Sequence, residues 1–133
     1  MARALSVLTA CVIAATCHPA AAVTDAGHFM RGGGIGSAKC LDFIAAMASV
    51  TREGGLNSIG GANIINPYMQ YLIGFQTGYN MGKPGPYDVL APLEEDAHNK
   101  ALVWIDAWCT RNPELNFDLG IFALVKVLRP DMD

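Results

Sequence analysis

The chain has few charged residues, and no segment of it is rich in Lys and Arg. Charged residues make up 16% of the 133 positions, with nine Lys and Arg against twelve Asp and Glu, so the formal net charge is −3 at pH 7. Proteins that bind nucleic acids need a basic patch to neutralise phosphates. The composition therefore excludes that class, and the length fits one small domain.

Long apolar runs are also missing after the first residues of the chain. Residues 4–15 form a short apolar run behind Arg3, and small residues precede Val23. This arrangement is typical of a cleaved secretory signal peptide, and the run is too short for a convincing membrane span. We therefore predict a signal peptide over residues 1–22 and a periplasmic or secreted protein with no stable membrane span. The tetrapeptide LTAC leaves a lipoprotein anchored through Cys11 as an alternative.

Cysteine is scarce as well, with four in the chain. Cleavage of the signal peptide would remove Cys11 and Cys17 and leave Cys40 and Cys109. Two cysteines in an oxidising compartment are typical of one disulfide, whereas the same pair in the cytosol would more often be two buried thiols. We predict the disulfide, which would join the first turn of the first predicted helix to the last turn of the third.

No stretch alternates apolar and polar residues for long, so strands are not predicted and the fold class is a small all-α, four-helix domain. Glycine and polar residues over 23–36 predict a flexible arm, and residues 37–130 are predicted to form the helical domain. Periodicity and capping signals predict four helices, over 38–53, 67–81 and 93–111 and after Asn116.

The second helix is predicted from Asn66-Pro67, because Asn caps helices and Pro is favoured at their first position. Residues 54–65 would then form a glycine-rich loop. Gly74 and Gly78 recur at helical spacing and predict close packing against another helix. The apolar face of the first helix is predicted to carry Cys40, Leu41, Ile44, Ala45 and Ala48.

No catalytic arrangement is visible in the sequence. The segment RGGGIGSAK lacks the Gly-Lys-Ser/Thr ending of a phosphate-binding loop, and neither a nucleophile elbow nor a His-Glu-x-x-His motif is present. Glu94 and His98 stand four residues apart and could share a metal on one helical face, but without a third ligand we favour a solvated acidic turn. Trp104 and Trp108 are predicted to be core residues rather than a ligand-stacking surface. We predict no enzyme activity, no cofactor and no metal.

A resemblance to a known family is carried by three short motifs. They are an early helical cysteine (Cys40), an aromatic-Leu-x-Gly-aromatic helix over 71–75, and a second cysteine (Cys109) shortly before Asn112-Pro113. In this pattern the chain resembles the HdeA/HdeB family of periplasmic acid-stress chaperones and the related Rap1a/Tai immunity proteins, over about residues 39–128. It departs from the compact chaperones in the segments GGLNSIGGANII and KPGPYDVLAP.

The resemblance implies a non-enzymatic protein that binds other proteins and could form a homodimer. As a chaperone it would expose apolar surface on acidification, when protonation changes the charge of the exported form from −4 to about +10. The residues expected to contact clients or a second copy are Ile59, Ile64, Ile65, Tyr68 and Met69. As an immunity protein it would inhibit a periplasmic cell-wall hydrolase through residues 54–66 or 83–92. A structural or small-ligand-binding helical domain is a third class that the sequence leaves open.

Overall fold

The computed structural model describes residues 24–25, 28–29, 33–85 and 87–130. Its core consists of four helices, and two short 3-10 helices cover Ile35–Ser37 and Ala91–Leu93. The all-α class and the four helices are confirmed. The predicted signal peptide, with Cys11, lies outside the described residues. The four helices are α1 (Cys40–Arg52), α2 (Ile59–Met81), α3 (Ala97–Arg111) and α4 (Phe117–Leu128).

The segment predicted as a flexible arm contains two ordered pieces. Thr24–Asp25 and His28–Phe29 form a short antiparallel ladder, in which Thr24 pairs with Phe29. The 3-10 helix Ile35–Ser37 belongs to the helical unit and packs against α2 and α4. Gly36 is buried in it so close to the Tyr71 ring that a methyl group would overlap the ring. The prediction of an arm is therefore wrong for its last residues.

Helix α2 begins eight residues before the predicted start, and the predicted loop over 54–65 is wrong. Ser58 caps the helix, because its Oγ accepts a hydrogen bond of 2.9 Å from the backbone N–H of Gly61. Pro67 therefore lies inside the helix, where proline costs about 3 kcal/mol. The helical course buries Ile65 on the same face as Tyr68 and Leu72, and burial of such side chains is worth about 1.5–3 kcal/mol each.

Helix α1 buries a different face from the predicted one. The buried residues are Cys40, Phe43, Met47 and Val50, whereas Leu41 is 52% exposed and Ala45 and Ala48 are exposed. Phe43 decides the orientation, since its ring lies 4.9 Å from the ring of Tyr68 and 4.6 Å from that of Phe117. A large aromatic side chain gains more from burial than alanine does, so the face with Phe43 turns inward.

Helix α3 begins at Ala97, four residues after its predicted start. Glu94 and Asp96 both have positive φ angles, of 60° and 58°, and this left-handed backbone separates the 3-10 helix Ala91–Leu93 from α3. Helix α4 begins directly after Asn116, as predicted, although the Asn116 side chain makes no capping hydrogen bond. Its apolar residues Phe117, Ile121, Leu124 and Val125 are buried. Trp104 and Trp108 are half-buried and pack against the core, as predicted.

The starts of α1 and α4 are joined by backbone hydrogen bonds. The N–H of Cys40 donates to the carbonyl oxygen of Leu115 at 2.8 Å, and that of Phe117 donates to Ala38 at 2.9 Å. These bonds flank an antiparallel bridge between Lys39 and Asn116. Within the described stretches of the chain, no helix is both long and apolar enough to cross a membrane.

Candidate protein-binding site

The two cysteines predicted to pair are joined. Cys40, the first residue of α1, forms a disulfide with Cys109 in the last turn of α3, and their Cα atoms are 5.0 Å apart. Both side chains are fully buried. The bond closes a loop across 69 residues and thereby holds α1 and α3 together when other contacts are lost.

The five residues predicted to contact a client or a second copy do not form one exposed surface. Ile59 is 86% exposed at the start of α2, but Ile65 and Tyr68 are buried in the core. Ile64 and Met69 are half-buried and pack against that core. In the folded protein, therefore, a partner can reach only Ile59 freely. The other four lie on the inward side of α2, two before Pro67 and two after it, so in the folded protein they contact the core.

Gly74 and Gly78 are not at a contact between helices. Both are exposed, and a methyl group added at either position would meet no atom within 4 Å. The prediction of close helix packing is therefore wrong within the described chain. The buried face of α2 carries Gly61, Ile65, Tyr68 and Leu72 instead, and the two glycines lie outside it.

The carboxylate of Asp88 joins the segment between α2 and α3 to the end of α2. Its Oδ1 accepts hydrogen bonds from Gln76 Nε2 at 2.7 Å and from Asn80 Nδ2 at 3.4 Å, both on α2. The same oxygen accepts the backbone N–H of Leu90 at 3.0 Å. One oxygen thus gathers three donors, an arrangement that is strongest when the carboxylate is ionised. We call this group of Gln76, Asn80, Asp88 and the Leu90 N–H the Asp88 latch.

The latch holds apolar residues on the core. Val89 and Leu90, which directly follow Asp88, are fully buried. Asn80 Oδ1 accepts the backbone N–H of Val89 at 2.9 Å, and Arg129 Nη2 donates to the carbonyl oxygen of Asp88 at 2.6 Å. These hydrogen bonds fix the backbone from Asp88 to Leu90.

The surroundings of Asp88 lower the pKa of its carboxyl group below the ordinary value of 3.8. Burial acts to raise that pKa, but the hydrogen bonds from Gln76, Leu90 and Asn80, together with the charge of His98, outweigh burial. A lowered pKa means that the ionised carboxylate stabilises the folded state above about pH 4, and that this contribution is lost as pH falls through the folded value.

His98 belongs to the same polar group. Its Nε2 lies 2.7 Å from Gln76 Oε1, so the amide of Gln76 connects His98 to Asp88. Glu94 lies outside α3, and therefore the helical spacing that would have paired it with His98 does not exist. Among the residues that the structure describes, no three His, Cys, Asp or Glu side chains are grouped to hold a metal ion.

Asp106 is the second carboxylate with an altered pKa. It lies half-buried on α3, and its Oδ1 is enclosed without a hydrogen-bond partner among the described residues. Burial raises the pKa of this carboxyl group, because the charged form loses hydration. Asp106 therefore opposes folding while it is ionised, in contrast to Asp88.

An open groove of about 610 Å³ runs along the outer face of α3, beside the turn between α1 and α2. Val103, which is 55% exposed, lies in it with Trp104 and Ala107, and Leu56 of the turn adds a further apolar side chain. Asn99 donates to Asn57 Oδ1 at 3.1 Å and so ties the turn to α3. The groove offers exposed apolar surface in the folded state, which suits a protein partner.

Sequence reasoning missed both the Asp88 latch and the α3 groove. A local signal for Asp88 was present, since Asp in a short segment between prolines often accepts the N–H two residues later, as it does from Leu90. No local signal identifies Gln76 and Asn80 as its partners, because they lie on another element. The outward position of Val103 became clear only from the orientation of α3.

Comparison of the chain with protein-family models, with curated proteins and with solved structures found no match.

Proposed function

We propose that the chain is an exported, non-enzymatic protein-binding domain that acts as an acid-dependent chaperone. The observation that carries the proposal is the Asp88 latch, which joins the segment of the fully buried Val89 and Leu90 to α2 through hydrogen bonds that are strongest to an ionised carboxylate. The resemblance to the HdeA/HdeB chaperones supports the same function. Export is supported by the disulfide and by the apolar, Arg-led start of the sequence.

Acidification removes negative charge from the Asp88 latch and from the rest of the chain. Protonation of Asp88 removes the negative charge near His98 of α3, while Gln76 and Asn80 of α2 remain neutral. Arg129, which donates to the backbone carbonyl oxygen of Asp88, keeps its positive charge. The latch then holds no negative charge, and the whole exported chain becomes strongly positive. Weaker hydrogen bonds and stronger repulsion both favour release of the segment that carries Val89 and Leu90.

The disulfide limits how far the chain opens. It joins α1 to α3, while the latch segment lies between α2 and α3, so the segment can separate from the core without unlinking the two helices. The buried residues Ile65 and Tyr68, which the sequence predicted for client contact, lie on α2 in that core. In the opened protein they would add to the client-binding surface, and this is the role that we propose for them.

The test is suppression of aggregation of a purified globular client that precipitates between pH 2 and 3. The oxidised protein is expected to suppress aggregation in acid and not at pH 7. The reduced protein is expected to suppress aggregation in acid to a different extent. Light scattering from pH 7 to pH 2 on both forms reports the opening independently of any client. If oxidised and reduced protein both fail to protect the client in acid, the chaperone function is wrong.

A second function, inhibition of a cell-wall hydrolase in the manner of the Rap1a/Tai immunity proteins, is favoured by one observation. Ile59 is exposed beside a tight turn, residues 54–58, in the folded protein, where it could enter the cleft of a partner at neutral pH. Pull-down from periplasm at pH 7 separates the two functions. One dominant hydrolase supports inhibition, whereas many partners that bind only in acid support the chaperone.

A further inference from the structure

The second half of α2 repeats an aromatic residue and a glycine every four positions. YLIG, FQTG and YNMG follow one another over residues 71–82. At helical spacing this repeat places a row of rings beside a row of glycines. Phe75 and Tyr79 are only partly buried, and a methyl group added at Gly74 or Gly78 would meet no atom within 4 Å. The side of the helix next to these two rings is therefore open.

The row of rings continues from α2 onto α4 and onto the segment after α2. The ring of Phe122, a residue of α4 that is 37% exposed, lies 5.3 Å from the ring of Phe75. The rings of Phe75 and Tyr79 are 5.7 Å apart, and those of Tyr79 and Tyr87 are 6.3 Å apart. Four rings from three parts of the chain thus form one continuous surface. We call Phe75, Tyr79, Tyr87 and Phe122 the ring strip.

Cations border the ring strip. Lys83 Nζ lies 5.0 Å from the centre of the Tyr79 ring, and Arg129 Cζ lies 5.1 Å from the centre of the Tyr87 ring. Lys126 is exposed in the last turn of α4. These cations also suit the negative ends of α2 and α4, but a helix dipole does not require rings beside them. On a chain with a formal net charge of −3, this end combines aromatic surface with positive charge.

We propose that the ring strip binds a linear glycan whose sugars carry carboxylate groups. A sugar ring has an apolar face of C–H groups, which packs on the electron-rich face of an aromatic ring, and a rim of hydroxyl groups. The open space at Gly74 and Gly78 lets a sugar approach the helix backbone, whose carbonyl oxygens can accept a second hydrogen bond from a hydroxyl group. Lys83 and Lys126 attract the carboxylates, and this charge complementarity favours an acidic glycan over a neutral one.

The shape of the ring strip favours a glycan over a lipid surface or an acidic peptide. A face that enters a membrane presents protruding apolar side chains, whereas three of the four residues of the strip are partly buried. An acidic peptide offers carboxylates but few flat apolar faces that could stack on successive rings. The steps of 5.3 to 6.3 Å between ring centres are close to one sugar per ring in an extended chain.

Calorimetric titration of the oxidised protein at pH 7 with a short oligogalacturonate tests the proposal. Binding is expected, and Tyr79→Ala should raise the Kd about fivefold or more through loss of one stacked ring. Gly78→Leu should raise the Kd about tenfold, because the new side chain fills the open space while leucine favours the helix. Ala62→Leu, at an exposed position near the start of α2, is the matched control and should leave the Kd unchanged.

A pair of charge variants separates a local contact from the charge of the whole chain. Lys126→Glu should raise the Kd about threefold to tenfold, because an exposed ion pair contributes little and the variant also repels the ligand. Arg111→Glu changes the net charge equally at the exposed end of α3 and should have a smaller effect. A neutral cello-oligosaccharide of the same length should bind at least about tenfold more weakly than the oligogalacturonate, since it lacks carboxylates.

The proposal is overturned if oligogalacturonate does not bind, if Gly78→Leu and Ala62→Leu bind it equally well, or if Lys126→Glu and Arg111→Glu weaken binding to the same extent. Tighter binding of polyglutamate, or of vesicles that contain phosphatidylglycerol, would also overturn it, because the strip would then take an acidic peptide or a lipid. These outcomes are separate from the acid-dependent activity, since binding is measured at pH 7 without a client.

Discussion

Cys40 and Cys109 stand 69 residues apart in the sequence, and their Cα atoms lie 5.0 Å apart at the junction of α1 and α3. Around this junction the backbone of Cys40 also donates to Leu115, just ahead of α4. Three helices therefore meet at one covalent link. Its effect on stability is large for a chain of this size, because small domains have only about 5–15 kcal/mol in total.

Removal of the disulfide is expected to lower the free energy of unfolding by about 3–4 kcal/mol, because the unfolded chain regains the entropy of a long loop. The double variant Cys40→Ala/Cys109→Ala and the reduced natural protein should give similar losses in urea denaturation at pH 7. A loss below about 1 kcal/mol would show that the helices hold together without the link.

Asp88→Asn replaces the ionised carboxylate of the latch with a neutral group of the same shape. The variant should unfold about 1 kcal/mol more easily at pH 7, a value that allows for the solvent exposure of this residue. Since the folded pKa of Asp88 is lowered, the difference from the natural protein should vanish as pH falls through the folded pKa. Stability curves between pH 7 and 2 measure both effects.

Gln76→Leu is the companion variant for the latch. It removes the strongest donor to Asp88 and the contact with His98 but leaves every charge in place. It should also bring the opening transition to a higher pH in light scattering. If neither Asp88→Asn nor Gln76→Leu moves that transition, the latch does not control acid opening.

Asp106→Asn should act in the opposite direction at neutral pH. The raised pKa of Asp106 means that its ionised form destabilises the folded state above the folded pKa, and that this penalty is relieved as pH falls. We expect Asp106→Asn to stabilise the protein at pH 7 by less than about 1 kcal/mol, since the residue is only half-buried and solvent screens the charge. At pH 2 the two proteins should be equally stable in thermal unfolding, and destabilisation at pH 7 would contradict this account.

Pro67→Ala tests where α2 begins. If the helix runs through this position, alanine restores a backbone donor and relieves the clash with the preceding turn, so the variant should be more stable by about 1–3 kcal/mol. If α2 began at Pro67, the same change would be neutral or destabilising, because proline is favoured at a first helical position. Thermal unfolding with circular dichroism distinguishes the two cases.

Two glycines of α2 should respond oppositely to alanine. At Gly61 a methyl group would overlap the backbone carbonyl oxygen of Gly55, which cannot move aside as a side chain can. We expect Gly61→Ala to destabilise the protein by about 1–3 kcal/mol, as overpacking does. Gly74→Ala meets no atom and should stabilise the helix by up to about 1 kcal/mol. A destabilised Gly74→Ala would mean that this exposed face packs against something after all.

The sequence by itself determined the helical class, the start of α4 and the pairing of Cys40 with Cys109. These features follow from the helical spacing of apolar residues, from Asn116 as a helix-start signal and from the two cysteines that follow the predicted signal peptide. All three signals are local or compositional. The predicted start of α2, at Pro67, was wrong because two local start signals compete. Asn66-Pro67 is a valid local start signal, but Ser58 supplies another, and only the burial of Ile65 on the core favours the earlier one.

The tertiary structure alone decided which face of α1 turns inward and which distant polar groups form hydrogen bonds. Leu41 and Phe43 are both apolar and two positions apart on α1, yet it is Phe43 that packs against the rings of Tyr68 and Phe117. Likewise, Asp88 accepts hydrogen bonds from Gln76 and Asn80 because the end of α2 lies beside the segment that leads to α3. The spacing of apolar residues within a segment specifies a helix. The contacts between helices depend instead on how large side chains from different segments pack in one core, which no single segment specifies.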